Sequence, residues 1–472
     1  MAEPVLLKFL TPEELDAIHT ATLRILSEIG VVLTHPGACE ILTGSGAVVE
    51  GTHLRLPPEL VESALANCPS TVSVRGRMGQ PATLGDGNLH WHNLGGARDV
   101  FDLATGQCRA ATTKDVANAA RLLDALPNCT TITPFFTPQD VPGALMSLAM
   151  YRHTLPHTTK PVHGPGVQTA AEVGYVARMA EVVGPAAEVL SLGVSPISPL
   201  TFPDEIAAAI LETARRGIPL GPLPCPTAGA TAPLSLAGAL AQQNAEVLTS
   251  IVLAQLASPG TPVYYCGRLA MLEPRSGGST WGGVELALVS AATVQIGHHY
   301  GLPVNVYGLS TNSHDLSLQN GYERALNAVI PALAGADELS GIGEMAAGVS
   351  GSFAQMVVDD EIAASVHRLR RGFGVDAESL AVEVIASVMG GQTSFVSDAH
   401  TVKYLRSGEL LVTKLAERRG WDAWDQTGRR GMVERAQTKA EKILAEHEVE
   451  PLSAAQEAEL DAIMAAAATD LA

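Results

Sequence analysis

The sequence is poor in positive charge. Lys and Arg number 30 against 49 Asp and Glu in 472 residues, a formal charge of -19. Nucleic acid and anionic membrane surfaces require clustered Lys and Arg, so the balance argues against both and suits a neutral or cationic ligand. Aromatic residues make up 4%, which makes each aromatic near a strand end informative. Six cysteines are widely spaced, with no CxxC pair, and a reduced, cytoplasmic setting is expected. The start, MAEPVLLKFLTPEELD, lacks a basic stretch followed by an apolar run, so no secretory leader is read there. No apolar run of about 18 residues escapes interruption, so no membrane span is expected.

What is there is a change of pattern along the chain. Residues 1–110 read as a helical and β-ribbon subdomain. Thr11-Pro-Glu-Glu supplies an N-cap, a Pro at the first helical position and an acidic first turn. A second helix opens at Pro57-Pro58, and short strands with Gly turns are expected between Thr71 and Arg109. His90-Trp91-His92 falls in this region and is read as a surface turn rather than a ligand pair.

Residues 111–405 read as alternating strands and helices. Strands are expected at 130–138, 160–166, 189–199, 218–226, 262–269, 303–309, 338–344 and 393–398. Helices are expected at 203–216, 234–257, 284–299, 316–334 and 354–371. This alternation implies βαβ units and a parallel sheet, and eight strands over about 270 residues predict an α/β fold of the (β/α)8 TIM barrel type. An open nucleotide-binding sheet would carry GxGxxG after its first strand, and neither that nor a P-loop is present. Residues 406–472 read as C-terminal helices packing on the barrel, at a subunit contact of a homo-oligomer.

Chemistry in such a barrel sits at the carboxyl ends of the strands. That rule selects Phe135, Phe136, His163, Ser195, Cys225, Tyr265, Cys266, Tyr307, Glu344, Asp398 and His400, with residues 222–233 as an ordered loop. Phe136, Tyr265, Trp281 and Tyr307 could form an aromatic cage for a quaternary ammonium, against the alternative of core packing. Glu344 would be its counter-charge, against an ordinary salt bridge. His163, Cys225, Cys266 and Glu344 raise a zinc site, but no spacing is diagnostic and lone cysteines usually pack as small hydrophobes, so no metal is assigned. GxSxG and HExxH are absent.

Residues 227–265 (TAGATAPLSLAGALAQQNAEVLTSIVLAQLASPGTPVYY) resemble the trimethylamine methyltransferase (MttB-like) family. So do ALAGADELSGIGE followed by FAQMVVDDEIA, and GLSTNSHDLSLQNGYERA with its Gln319 and Glu323. AHT at 399–401 and RAQTKAEKILAEHE near the end complete a resemblance that runs from about Thr11 to the C-terminus. The resemblance implies a barrel that passes a methyl group from a methylated amine to the cobalamin cobalt of a separate corrinoid protein. With only standard residues, the chain resembles the branch without pyrrolysine, whose members act on quaternary amines such as glycine betaine, carnitine or proline betaine.

On that reading Glu344 and His163 are the expected catalytic residues. Phe136, Tyr265, Trp281 and Tyr307 would hold the ammonium, and His163 and His400 would orient a substrate carboxylate. The cobalamin would come on a cognate corrinoid protein, since this chain has no DxHxxG. Cys225 and Cys266 depart from the family pattern. Their thiols keep open a zinc-dependent demethylase of an oxygen or sulfur methyl compound, beside a barrel that binds a betaine without turnover.

Overall fold

The computed structural model describes residues 6–79, 81–164 and 166–471. The start of the chain, read above for a leader, and Pro165 of the expected strand 160–166 lie outside the described residues. Among the described residues no helix is long and apolar enough to cross a membrane.

Eight parallel segments pair in a ring. His90–Asn93 bridges to Thr131, and Ile132 bridges to Val162 of the strand Val162–Gly164. That strand pairs with Leu190–Val194, which pairs with Leu220–Pro222. Leu220 bridges to Val263, and Tyr265 bridges to Val304 beside the strand Asn305–Tyr307. Asn305–Tyr307 pairs with Glu338–Ile342, whose other edge pairs with His90–Asn93. The last segment therefore pairs with the first.

Seven of these segments fall where the sequence places strands. The eighth does not. Residues 393–398, expected as a strand, are turn and bend leading into a helix, and His90–Asn93 takes the place in the ring. His90-Trp91-His92 is thus a buried strand rather than a surface turn, and the ring draws on a segment assigned to the N-terminal subdomain. A strand buried on both faces has no polar alternation to announce it; here all four residues are buried, and His92 turns into the ring toward Asn305.

The N-terminal helix Pro12–Arg24 starts on the expected Thr11 N-cap, and the structure adds a capping box in which Thr11 and Glu14 satisfy each other's backbone N–H groups. A π-helical turn, Ile25–Ile29, extends it to Gly30, whose φ is 81°. A Cβ there would lie 2.7 Å from the Leu54 carbonyl oxygen, so the turn requires glycine. This layer explains the helix Leu236–Ala257, which is buried on every side from Ala239 to Gln255. Its inner face lies on the ring, while Thr22 of the first helix donates to the Ala241 carbonyl and accepts from Asn244.

The hairpin Val72–Arg75 with Pro81–Leu84 covers the amino end of the ring, where Val72, Val74, Ala82 and Leu84 share a small cavity with Thr131, His163, Ser191, Tyr264 and Glu338. The C-terminal helices Met432–Glu446 and Ala454–Asp470 lie against Phe353–Arg371 and Ala170–Glu181 respectively. Arg152 ties the last helix down through Glu457 and Asp461.

Candidate active site

Successive side chains of a strand face opposite ways, and this alternation sorts the expected site residues. Along 264–266, Tyr264 and Cys266 turn into the ring and Tyr265 turns out. The Tyr264 hydroxyl lies 2.9 Å from His163 Nδ1, and the Cys266 thiol lies 3.5 Å from Asn305 Oδ1. The Tyr265 hydroxyl instead donates to Asn244 Oδ1 (2.9 Å) in the surrounding helix layer. Tyr265 is packing, not part of a cage.

His163 belongs to the sealed end. Its Nδ1 is shared by Ser191 Oγ and the Tyr264 hydroxyl, both at 2.9 Å, and its ring lies 4.8 Å from that of His92. Burial, reinforced by His92, pushes its pKa down to about 3, so the ring is neutral near pH 7. Above it a polar lattice crosses the ring. Asn305 Nδ2 donates to Glu338 Oε2 and lies 3.0 Å from His92 Nε2, and the Thr131 hydroxyl donates to Glu338 Oε1 at 2.6 Å. His163 therefore sits in the amino half of the ring, not at a carboxyl end.

Phe136 is fully buried, with ring centroids 4.5 Å from Phe135 and 6.0 Å from Phe353. The two phenylalanines fill the space that Gly343 and Gly351 leave open, since a Cβ at Gly351 would lie 2.0 Å from Phe135. Its recorded ring partners are these core residues, not Tyr307. His400 lies on the helix Ala399–Arg406, outside the ring. It stacks on Tyr404 at 4.3 Å, and its Nε2 lies 3.2 Å from the Glu378 carbonyl. With residues 393–398 not forming a ring strand, neither Asp398 nor His400 is at a strand end.

Three expected residues, Trp281, Tyr307 and Glu344, lie toward the carboxyl end of the ring. The rings of Trp281 and Tyr307 lie 4.9 Å apart. Glu344 is 1% exposed; Ser310 donates to its Oε1 at 2.5 Å, while Oε2 is buried with no hydrogen-bond partner among the described residues. Burial raises its pKa to about 7 against the opposing Ser310 hydroxyl and Arg324 charge, and its charge acts on the Tyr307 hydroxyl.

The surrounding sequence fixes these groups. Gly343, at φ 83°, allows the chain to turn beside Phe135 and Met356, and its N–H donates to Asp359 Oδ2 at 2.7 Å. Asp359 is in turn paired with the fully buried Arg324 at 3.0 Å. Gln319 donates to Glu323, which accepts from the Thr311 hydroxyl and the Asn312 N–H; Asn312 Oδ1 then accepts the N–H groups of Trp281 and Gly282, each at 2.7 Å. The Gln-Glu pair thus acts by holding the segment that presents Trp281.

The loop 222–233 is ordered by pairing of Thr227–Ala228 with Ala270–Leu272, and it leaves Cys225 exposed at the mouth. The zinc cluster is not assembled. His163 is turned toward the hairpin and Glu344 toward Ser310, and among the described residues no three His, Cys, Asp or Glu side chains are grouped to hold a metal ion.

Sequence reading missed Arg268, Asn305, Glu338 and His92. Arg268 was visible in the run Tyr264-Tyr265-Cys266-Gly267-Arg268, inside the expected strand 262–269 and two residues after Cys266. Its guanidinium lies 4.8 Å from the Tyr307 ring centroid.

Comparison with known proteins agrees with this architecture. Residues 3–471 match the family model for trimethylamine methyltransferase (MTTB). Trimethylamine methyltransferase MttB of Desulfitobacterium hafniense is 32% identical over 449 residues, covering 93% of this chain and 90% of that one. A glycine betaine methyltransferase of the same species is 29% identical over 464 residues, covering 97% and 96%. The crystal structure of Methanosarcina barkeri monomethylamine methyltransferase shares the fold at a TM-score of 0.54 and 14% identity, over 92% of this chain and 87% of that one. The chain belongs to the trimethylamine methyltransferase family and is a methyltransferase.

Proposed function

We propose that this chain is a cytoplasmic (β/α)8-barrel enzyme that moves a methyl group from a quaternary amine, of the glycine betaine type, to the Co(I) of a separate corrinoid protein. The supporting observation is the carboxyl mouth, where the Trp281 and Tyr307 rings pair and the buried Glu344 beside Ser310 has one oxygen without a hydrogen-bond partner among the described residues. Aromatic faces and a desolvated carboxylate are what a methylated ammonium needs, since it has no N–H to donate.

A quaternary nitrogen needs no general acid. As the carbon–nitrogen bond breaks, its electron pair returns to nitrogen and a neutral tertiary amine leaves. The acceptor supplies the electron pair of the new bond to carbon. What remains for this chain is to hold the ammonium so that one methyl points out of the mouth, and to keep water away. Ionised Glu344 favours the cation in the ground state, and that attraction weakens as charge leaves nitrogen. The Ser310 hydroxyl and the Thr311 backbone N–H hold the carboxylate, so it is a binding and orienting group and transfers no proton.

Neutral, deeply placed His163 is assigned no part in the transfer, and Tyr265 and Phe136 act only through packing. The test is a spectroscopic assay of methyl transfer from glycine betaine, carnitine and proline betaine to cob(I)alamin. Formation of methylcobalamin from a quaternary donor is expected. No transfer from any quaternary donor, with transfer from an ether or thioether, would overturn the reading.

A further inference from the structure

One charge at the mouth has no role in the account above. Arg268 is 4% exposed, yet its guanidinium meets only neutral acceptors: the Asn305 carbonyl at 2.9 Å, Asn305 Oδ1 and the Gly267 carbonyl. Its Nε donates to no described residue. The other deeply buried arginine, Arg324, has Asp359 at 3.0 Å. A buried guanidinium ordinarily has an anion in such reach, because its desolvation is otherwise uncompensated.

Glu338 is the nearest structural answer. It reaches Arg268 only through Asn305, whose amide donates to Glu338 while its carbonyl oxygen accepts from Arg268. That relay satisfies one edge of the fork. The edge carrying Nε is left, on a guanidinium that lies over the Tyr307 ring. Arg268 thus brings a fixed cation to the Trp281–Tyr307 pair, on which the Glu344 charge also acts.

We infer that Arg268 receives a carboxylate of the methyl donor, which makes the pocket selective for zwitterions bearing a quaternary ammonium and a carboxylate on one small molecule. The inference rests on the proposed site and adds its second anchor. Two anchors of opposite sign fix the donor end to end, which one ammonium cage cannot do. Because the carboxylate takes no part in bond breaking, Arg268 holds it equally in ground and transition states, and its loss falls on KM rather than kcat.

The experiment is calorimetric titration of the wild type, Arg268→Gln and Arg268→Lys with glycine betaine, carnitine and proline betaine, each against tetramethylammonium. The wild type is expected to bind at least one zwitterion ten-fold or more tightly than tetramethylammonium. Arg268→Gln is expected to lose about 30- to 100-fold toward that zwitterion, the scale of a charge-assisted hydrogen bond, and no more than two-fold toward tetramethylammonium. Arg268→Lys should fall between.

Equal wild-type affinity for both classes, equal losses in the variant, or no binding of any zwitterion overturns the inference. Should Arg268→Gln fail to fold, the wild-type selectivity and the Lys variant decide. Selective binding without methyl transfer would sink the proposed reaction and leave the Arg268 subsite standing. Methyl transfer at equal kcat/KM from both classes would do the reverse.

Discussion

The two ends of the ring are built on opposite principles. At the amino end His163 is answered by Ser191 and Tyr264, and Glu338 by Thr131 and Asn305, all under an apolar hairpin. At the carboxyl end Glu344 keeps an oxygen with no described partner, and Arg268 has only neutral ones. Satisfied buried networks rigidify a core, whereas an unanswered charge destabilises the fold and is tolerated where a ligand completes it.

Glu344→Gln should sharpen that contrast most. The amide keeps the shape and the Ser310 contact but removes the counter-charge, so kcat/KM for a quaternary donor is expected to fall about 100-fold. Stability should move the other way. The native carboxyl titrates near 7 instead of 4.5, so between those values the folded state binds more protons than the unfolded one. Stability is then greatest below 4.5 and declines as pH rises to about 7, a penalty of the order of 3 kcal/mol above it. The variant should melt higher than the wild type at pH 8 and match it near pH 4.5. A variant that melts lower at pH 8 would show that the carboxylate is structural.

The same group sets the pH profile. Only ionised Glu344 offers a counter-charge, so kcat/KM in the wild type should drop nearly ten-fold per unit below an apparent pKa of about 7 and level off above it. The profile of Glu344→Gln should be flat. Tyr307→Ala comes next, with a loss of about ten-fold in KM for the donor. Tyr265→Phe, one strand away and facing the helix layer, should leave KM unchanged and cost about 1 kcal/mol of stability through its bond to Asn244.

Most of the scaffold was legible because it rests on local signals. The N-cap at Thr11 and the βα alternation from residue 130 onward each follow from spacing and turn chemistry. His90–Asn93 was missed because a lumen strand carrying His and Asn resembles a polar turn when its partner, Glu338–Ile342, lies about 250 residues away. Strand-end position is what singled out Glu344 and Tyr307, and both lie toward the carboxyl end of the ring. Tyr265 was misplaced because adjacent tyrosines look alike in sequence, and only the pleat decides which faces inward. Arg268 was missed because the strand-end rule stopped at Cys266, whereas its segment is placed by backbone pairing with the loop at 224–226.

Replacing His163 by Gln tests the sealed end. The longer, unringed amide does not reproduce the Nδ1 position that Ser191 and Tyr264 share, so the buried hydroxyls lose that partner and stability should fall by about 1–3 kcal/mol. Donor KM should change by less than about three-fold, since the ring is neutral and faces the hairpin.

The smallest effect is expected at His400. Its helix has no buried residue, and its ring meets only Tyr404 and the Glu378 carbonyl. Losing one exposed stack costs within about 0.5 kcal/mol, so His400→Ala should leave melting temperature, donor affinity and kcat all near wild type. A selective loss of methyl transfer with affinity intact would place this outlying helix against the corrinoid partner. The working surface would then extend beyond the carboxyl mouth, and the simple opposition of a sealed end and a reactive end would no longer describe the molecule.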